Sequence, residues 1–469
     1  MIVKDLTELQ KPEGKKVGQD IASYSQNDAG LAQAFADRYA DRVRFAPGIG
    51  WLFWNGDRWE RDATGRVNQL AIDLGRAAMR EAVEITDEAA RKAAFNFANG
   101  IGNKARISNL VFLAESNPAL VVEAVDMDSD PWLVGVKNGT LDLRSGRFFP
   151  AERGDLITRS LGTRWDERAE CLKWKRFLAE VTLGDAELVE YIRRAIGYTL
   201  TGETREQCFF FQWGSGANGK SVLGVTLETL LGDYCHRASA ELFDKRHDRN
   251  KGPELAEVAG ARLILASETQ EGGRLDERLV KDITGGEKLR AEAKFCAGFD
   301  FRPQGKIWMS GNHKPRITGT DNGIWRRVRL IPFEARFEGE RCNPNLAAEL
   351  REELPGILRW AVGGCLAWQE GGLELPEKVK LAVAEYRSDE DELGAFIADC
   401  IEEAPEAATC QRKDVFDAYA KWSAAEGIRH PMTQKQLSRK LKDRGWTDLY
   451  GKYWRGVRIV EEVPEEKED

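Results

Sequence analysis

Residues 214–221 read GSGANGKS and have the spacing G-x-x-x-x-G-K-S. The apolar run CFFFQW precedes them at 208–213, and helical periodicity follows from Ser221 to Leu231. A buried strand that passes through glycines into a helix is typical of a loop that holds phosphate groups. In such a loop the backbone N–H groups face one phosphate, Lys220 neutralises its oxygens and the Ser221 hydroxyl binds Mg²⁺. The sequence therefore predicts ATP and Mg²⁺ as cofactors, and the predicted nucleotide contacts are Gly214, Ser215, Gly216, Ala217, Asn218, Gly219, Lys220 and Ser221.

Polar residues suited to ATP hydrolysis follow this motif in order along the chain. The apolar run RLILAS (262–267) leads to Glu268, whose carboxylate could polarise water or bind Mg²⁺. A second run, KIWMS (306–310), leads to Asn312, whose amide could orient the attacking water. Arg326 and Arg327 come next, and guanidinium groups stabilise transition-state charge, either in cis or from a neighbouring subunit. Each residue alone could be a turn or surface residue, but their order favours a catalytic set.

Length predicts several units, and buried apolar runs separated by loops and helices predict an α/β protein. A chain of 469 residues is too long for one core, and 42% hydrophobic with 31% charged residues is typical of globular proteins. Without a secretory signal, a run of eighteen apolar residues or paired cysteines, we expect a cytoplasmic protein with reduced thiols and no membrane partner. The predicted units are an N-terminal arm (1–45), an α+β domain (46–200), an α/β core with a largely parallel sheet (201–335), a helical lid or linker (336–392), a winged helix (393–460) and an acidic tail (461–469).

The segment 410–458 is basic, although the whole chain has a net charge of −8. Its twelve Lys and Arg residues face five acids, which gives the segment a net charge of +7. Thr433 and Gln436 form a capping box that begins a helix with Leu437 and Leu441 on its inner face. The opposite face predicts DNA contacts through Lys435, Arg439 and Lys442. A protein-docking module with a solvated basic face is the alternative, since winged helices serve both roles.

The ordered motifs resemble the superfamily 3 helicases, in the phage and plasmid primase–helicase branch that includes the poxvirus primase–helicase. They are GSGANGKS, GARLILASETQEG, LVKDITGGEKLRAEAKF, SGNHKP and DNGIWRRVRLIPF. The upstream stretch GVKNGTLDLRSGRFFP also resembles the family, so the resemblance covers about residues 45 to 340. It implies an AAA+-type hexameric ring that hydrolyses ATP between subunits and draws one DNA strand through its centre, 3′ to 5′.

The same resemblance implies roles for individual residues. Residues 214–221 would be the Walker A motif, Glu268 the Walker B acid and Asn312 the sensor. Arg327, or its neighbour Arg326, would be the finger that reaches the ATP of the adjacent subunit. The segment 281–295 would lead into a pore hairpin in which Lys294 and Phe295 contact DNA, although both could be ordinary strand and surface residues. A lysine on the phosphate backbone and an aromatic ring on a base would hold a single strand without sequence preference.

Two departures from the family pattern limit this assignment. Many members carry two adjacent Walker B acids, whereas Ser267 precedes Glu268 here, so the division between Mg²⁺ binding and water activation stays open. The upstream segment is short and has no paired-carboxylate metal signature, so we expect no primase activity in this chain and a separately encoded primase or initiator as partner.

The predicted function is an ATP-dependent DNA helicase of a phage, plasmid or integrated element, acting in replication on single-stranded and forked DNA in the bacterial cytoplasm. The alternatives are another P-loop packaging or remodelling ATPase, and an ATP-binding, origin-binding scaffold without unwinding activity.

Overall fold

The structure is a computed structural model of a mixed α/β chain. It describes residues 20–247, 251–267, 273–292, 298–317, 322–339, 342–426, 428 and 431–460. Among these residues, no helix is both long enough and apolar enough to cross a membrane.

The N-terminal part is a helical unit around a small antiparallel sheet, with its own hydrophobic core between residues 21 and 120. Its elements are α1 (Asp28–Tyr39), β1 (Val43–Ala46), β2 (Gly50–Trp54), β3 (Trp59–Arg61), α2 (Arg66–Val83), α3 (Glu88–Ile101) and α4 (Lys104–Ala114). The aromatic run from 46 to 63, whose turn at Asn55-Gly56 is typical of a hairpin, does form one, since Trp54 pairs with Trp59 across that turn. The amphipathic stretch from 31 to 44, within the predicted N-terminal arm, lies largely in α1, and its Leu31 and Phe35 are buried in this core.

The next segment packs with the central sheet. It contains β4 (Leu133–Val136), β5 (Gly139–Asp142), β6 (Arg147–Phe149), α5 (Leu172–Val181) and α6 (Ala186–Leu200). The turn-rich stretch at 132–150, whose pattern is typical of strands, forms the antiparallel pairs of β4, β5 and β6. Trp174 and Ile192 share one hydrophobic core with Leu223 and Trp308 of the central unit. The packing therefore does not divide at residue 200, where a domain boundary was predicted, because the apolar faces of α5 and α6 cover the sheet.

The central unit is built on a parallel sheet. Its elements are β7 (Phe209–Trp213), α7 (Lys220–Leu231), β8 (Cys235–Ala238), α8 (Gly252–Val258), β9 (Leu263–Ser267), α9 (Glu277–Gly285), β10 (Leu289–Ala291), β11 (Phe299–Phe301), β12 (Lys306–Gly311), α10 (Asn322–Trp325) and β13 (Val328–Pro332). Five of the described strands pair in the order β13-β7-β12-β9-β8, and every pairing is parallel. Phe210 packs into the core with α5 and α6, whereas Phe209 and Phe211 pack into the core on the other face, with α8 and α9. Apolar residues on both faces explain why these strands are continuous apolar runs.

Two buried cations lie at the amino-terminal end of the sheet. Arg262 precedes β9 and donates from Nη1 to the Leu200 carbonyl at the end of α6, at 2.7 Å. Lys306 begins β12, and its Nζ donates to the carbonyls of Thr201 and Gln304. Burial lowers the pKa of both side chains, that of Lys306 well below its usual value. These bonds satisfy carbonyls that the end of α6 leaves without helical partners.

The C-terminal part is helical and then forms a small unit with its own core between residues 393 and 459. Its elements are α11 (Leu346–Glu352), α12 (Leu354–Gly371), α13 (Glu377–Asp389), α14 (Glu392–Cys400), β14 (Ile401–Glu403), β15 (Thr409–Gln411), α15 (Arg412–Ala425), α16 (Gln434–Asp443), β16 (Asp448–Leu449), β17 (Tyr453–Arg455) and β18 (Val457–Ile459). Helix α12 lies directly on α6, since a Cβ at Gly197 would lie 2.1 Å from the Cys365 backbone nitrogen. The capping box of Thr433 and Gln436 at α16 is confirmed.

Candidate functional site

Two of the predicted catalytic residues, Lys220 and Asn312, lie at the carboxyl-terminal edge of the parallel sheet. Strand β7 ends at Trp213, beside Gly311 at the end of β12. Ser267 at the end of β9 pairs with Ser310 of β12 on the other side. The glycine-rich loop (residues 214–219) follows β7, and Asn312 follows β12. In open parallel sheets this edge is where ligands bind.

The glycine-rich loop presents a row of free backbone donors. No backbone N–H group from Ser215 to Gly219 donates a hydrogen bond to another described residue. Gly216 and Gly219 have φ values of +102° and +90°, which favour glycine, and Ala217 also has a positive φ of 48°. The loop leads directly into α7, whose amino-terminal end carries a partial positive charge. Consecutive N–H groups at a helix start form a concave site for an anion.

Lys220 joins the loop to Asn312. Its side chain is only 7% exposed, and Nζ donates to the Gly214 carbonyl at 2.6 Å and to Asn312 Oδ1 at 3.1 Å. Burial lowers the pKa of Lys220, because a partly dehydrated ammonium is less stable than a hydrated one. The structure thus brings two of the predicted catalytic residues into direct contact. An anion in the loop would supply Lys220 with the opposite charge that its protein partners lack.

A segment that sequence reasoning missed supports the loop from outside. Phe333 follows β13, and its carbonyl accepts a hydrogen bond from Asn218 Nδ2 at 3.0 Å. The Phe337 N–H donates to the Ala217 carbonyl at 2.7 Å. The buried Asn218 side chain, predicted to contact nucleotide, therefore holds the loop in place, and only its backbone N–H is available to a ligand. In the sequence, only the position of residues 333–337 directly after the apolar run VRLIP (328–332) indicated this segment.

Helix α5 packs against the last glycine of the loop, which leads to a prediction about stability. A Cβ at Gly219 would lie 2.6 Å from Val181 Cγ1 and would also require an L residue to adopt φ +90°. Gly219→Ala is therefore expected to destabilise the fold by about 1–3 kcal/mol, visible as a lower thermal midpoint. The matched control is Gly224→Ala in α7, where a Cβ has open space and should stabilise the helix by about 1 kcal/mol. Equal midpoints for the two variants would contradict this packing.

Several predicted residues stand apart from this contact. Ser221 lies in the first turn of α7 with its side chain exposed, so its hydroxyl is accessible to a metal ion. Glu268 lies outside the described residues, directly after β9. Lys294 and Phe295 also lie outside them, between the antiparallel strands β10 and β11.

The two adjacent arginines have different surroundings. Arg327 is 8% exposed, and its guanidinium donates to Thr284 Oγ1 at 3.1 Å and to the Gly323 carbonyl at 2.6 Å. Arg326 is exposed, and its Nη2 donates to Gln207 Oε1 at 3.1 Å. A residue that contacts a neighbouring subunit has to be accessible from outside. Of the two, Arg326 is therefore the better candidate for the arginine finger, although the resemblance had pointed to Arg327 first.

Lys314 is a further cation near the site that was not predicted. Its Nζ lies 4.7 Å from the ring centroid of Trp213 and 5.3 Å from that of Tyr386 in α13. It also forms an ion pair with Asp389 at 3.1 Å. Lys314 thereby connects the end of β7 to α13. The motif SGNHKP contained Lys314, but nothing local showed that α13 would pack there.

The predicted basic face of α16 is only partly available. Lys435 and Arg439 are exposed, and neither forms an ion pair with a described residue. Lys442, also predicted to contact DNA, forms an ion pair, since its Nζ lies 2.6 Å from Asp448 Oδ2. This ion pair compensates part of the charge that the helix would offer to DNA.

Comparison with protein families gives two adjacent matches. Residues 32–183 match a family described as "D5 N terminal like". Residues 213–327, which contain the glycine-rich loop and the two arginines, match a family of unknown function, DUF5906.

Curated viral proteins are similar to most of the chain. "Putative helicase L207/L206" of Acanthamoeba polyphaga mimivirus is 27% identical over 390 residues, which are 74% of this chain and 40% of the relative. "Primase D5" of fowlpox virus (strain NVSL) is 21% identical over 232 residues, which are 46% of this chain and 29% of the relative. The chain therefore spans less than half the length of these relatives.

A solved structure shares the overall fold. The apo structure of the NrS-1 C-terminal region (305–718) superposes with a TM-score of 0.50 at 12% sequence identity. The match covers 93% of this chain and 100% of that one.

Proposed function

We propose that this chain, which is similar to a putative viral helicase and to a D5 primase, is an ATP-dependent DNA helicase that acts in replication. The observation that carries this proposal is the contact between Lys220 and Asn312 beside five free N–H groups of the glycine-rich loop. ATP is the ligand that suits this combination, because its phosphates need many donors and its hydrolysis needs a polar group near the γ-phosphate.

The residues present fit a nucleotide and its metal ion. The free N–H groups and the amino-terminal end of α7 would hold the β- and γ-phosphates, with Lys220 as the neutralising cation. The exposed Ser221 hydroxyl, together with Glu268, would hold Mg²⁺. Bound Mg²⁺ would supply charge neutralisation between the phosphate oxygens. The strand order β13-β7-β12-β9-β8 places the loop after β7, the second strand of five, and places Asn312 after its neighbour β12, which supports this assignment.

The remaining site residues would act on water and on transition-state charge. Asn312 would orient the attacking water through its amide, while Glu268 would accept its proton. Arg326, because it is exposed, would reach the ATP of the next subunit and stabilise the charge that develops on the transferred phosphate. This step requires the ring, which we propose is a homo-hexamer translocating 3′ to 5′ on single-stranded DNA, with Lys294 and Phe295 in its pore.

The C-terminal unit supports a DNA-binding role. Its order α14, β14, β15, α15, α16, β16, β17, β18 contains the succession of helices and a hairpin expected of a winged helix, in which α16 would be the recognition helix. Lys435 and Arg439 would contact backbone phosphates, whereas Lys442 would contribute less because Asp448 neutralises it. The proposal keeps the predicted helical lid or linker (336–392) and acidic tail (461–469). It also includes an origin in a mobile element of a bacterial host, and a separately encoded primase or initiator as partner.

The proposal is tested by steady-state ATP hydrolysis with and without single-stranded DNA. We expect DNA to stimulate turnover and Lys294→Ala to remove the stimulation while basal hydrolysis persists. Forked substrates with a single 3′ or 5′ tail would then establish polarity. Turnover that ignores DNA would favour a packaging or remodelling ATPase, whereas tight ATP binding with negligible turnover would favour a scaffold.

A further inference from the structure

The hairpin formed by β16 and β17 (residues 448–455, the wing hairpin) exposes two aromatic rings. Tyr450, at the turn, is 93% exposed and has a positive φ of 56°. Tyr453 is 37% exposed and begins the returning strand. Neither ring contacts another described aromatic residue or cation. The two rings are therefore accessible to a ligand at the end of the hairpin.

The hairpin behind these rings is held in place. Arg412 donates to the Gly451 carbonyl at 3.1 Å and to Asp448 Oδ2 at 3.3 Å, and its guanidinium lies 5.3 Å from the Trp454 ring. Trp454 is fully buried and packs edge-on against Trp446. The two tyrosines are thus presented by an ordered scaffold, which reduces the entropy lost when a ligand binds.

Successive side chains of the wing hairpin point to opposite faces, so the acidic residue lies on the inner face and the basic residues lie on the outer face. Asp448 pairs with Trp454 across the strands and faces inward, where Arg412 and Lys442 neutralise it. Tyr453 and Arg455 face outward, and their cross-strand partners on β15 are Gln411 and Thr409. Among the described residues, the outward strand positions carry no carboxylate, while Arg455 and the exposed Lys452 add positive charge. An anionic ligand with flat rings is the ligand that this surface suits.

We propose that the wing hairpin binds unpaired bases of single-stranded DNA, with Tyr450 and Tyr453 stacking on successive bases and Lys452 and Arg455 contacting phosphates. Stacking needs a base whose face is open, so the site is specific for single strands and fork junctions over the interior of a duplex. This inference rests on the proposed function and adds to it a base-contacting site distinct from the phosphate contacts of α16. It places part of the strand-binding surface outside the ring's pore.

The test measures DNA affinity of the full chain by fluorescence anisotropy, using a labelled oligo-dT strand and a blunt duplex of equal length. Tyr450→Ala and Tyr453→Ala are each expected to raise the Kd for the single strand about five- to hundredfold and to leave the Kd for the duplex unchanged. Tyr450→Trp should retain affinity, because indole stacks as well as phenol. A strand with 2-aminopurine should lose fluorescence on binding the unaltered protein and less on binding Tyr450→Ala.

Matched controls separate stacking from charge and from folding. Phe112→Ala removes another exposed aromatic ring, 71% exposed in α4, and should leave both affinities unchanged. Lys452→Ala should weaken both DNA forms and lower the salt dependence of binding by about one ion. Equal losses on both DNA forms with the tyrosine variants, or no loss, would overturn the stacking site. If DNA still stimulates ATP hydrolysis in those cases, only the inference fails; if the unaltered protein binds no DNA, the proposed function fails with it.

Discussion

Lys220→Ala is expected to abolish ATP hydrolysis. The ammonium group sits in the glycine-rich loop between the Gly214 carbonyl and Asn312, so it is the cation nearest to the free N–H groups. Removing a preorganised charge of this kind lowers turnover by about 10²–10³-fold or more. Phosphate release at saturating ATP measures this loss, and a fluorescent ATP analogue measures the weaker binding that should accompany it.

The fold should survive this substitution, because burial already lowers the pKa of Lys220 and no carboxylate is left without a partner. We therefore expect a thermal midpoint at or above that of the unaltered protein. Lys220→Met tests the same point with a side chain of similar length and no charge. Lys175→Ala, at an exposed position of α5, is the matched control and should retain full turnover. Hydrolysis that persists in both Lys220 variants would remove the loop from the catalytic site.

The second large effect is expected for Arg326→Ala. If this exposed guanidinium completes the site of a neighbouring subunit, its loss lowers kcat by about 10³-fold or more and barely changes nucleotide affinity. Mixing Arg326→Ala with Lys220→Ala should restore hydrolysis, because a subunit with an intact loop can then receive Arg326 from its neighbour. Activity of the mixture is compared with that of each variant alone at the same total concentration.

Arg327→Ala is the matched comparison at the adjacent position. Its guanidinium bonds to Thr284 and to the Gly323 carbonyl inside the same chain, so its removal should cost about 1–3 kcal/mol of stability and lower the thermal midpoint. We expect no restoration of hydrolysis specific to mixtures with Lys220→Ala. A stable, inactive Arg327→Ala that is rescued by mixing, together with a fully active Arg326→Ala, would reverse the assignment.

Local patterns in the sequence predicted the parts of the fold that depend on local physics. The strands β7, β9 and β12 are continuous apolar runs because both of their faces are buried, and the loop needs glycine for its positive φ values. Capping at Thr433 likewise involves residues only three positions apart. In each case the residues that determine the structure are neighbours along the chain.

Contacts between distant segments could not be predicted in the same way. Arg326 and Arg327 are adjacent in sequence, and only the position of Thr284 in α9 shows which of them is buried. The ion pair of Lys442 with Asp448 depends on the turn between α16 and β16. Helix α5 belongs to the core of the central sheet because its apolar face fits there. Helical periodicity shows that α5 has an apolar face, but it does not show which part of the molecule that face contacts.

The buried side chains of Arg262 and Lys306 hold α6 to the amino-terminal end of the sheet. Pulling α6 away from the sheet would take the carbonyls of Leu200 and Thr201 from Arg262 and Lys306, and a buried cation that loses part of its hydrogen bonding is destabilised. We therefore expect the amino-terminal end of the sheet to resist displacement of α6. If the proposed ATP site drives a movement, that movement would arise at the opposite edge, where Lys220 and Lys314 make contacts that can be exchanged. The sheet would then have a stiff base and a deformable rim.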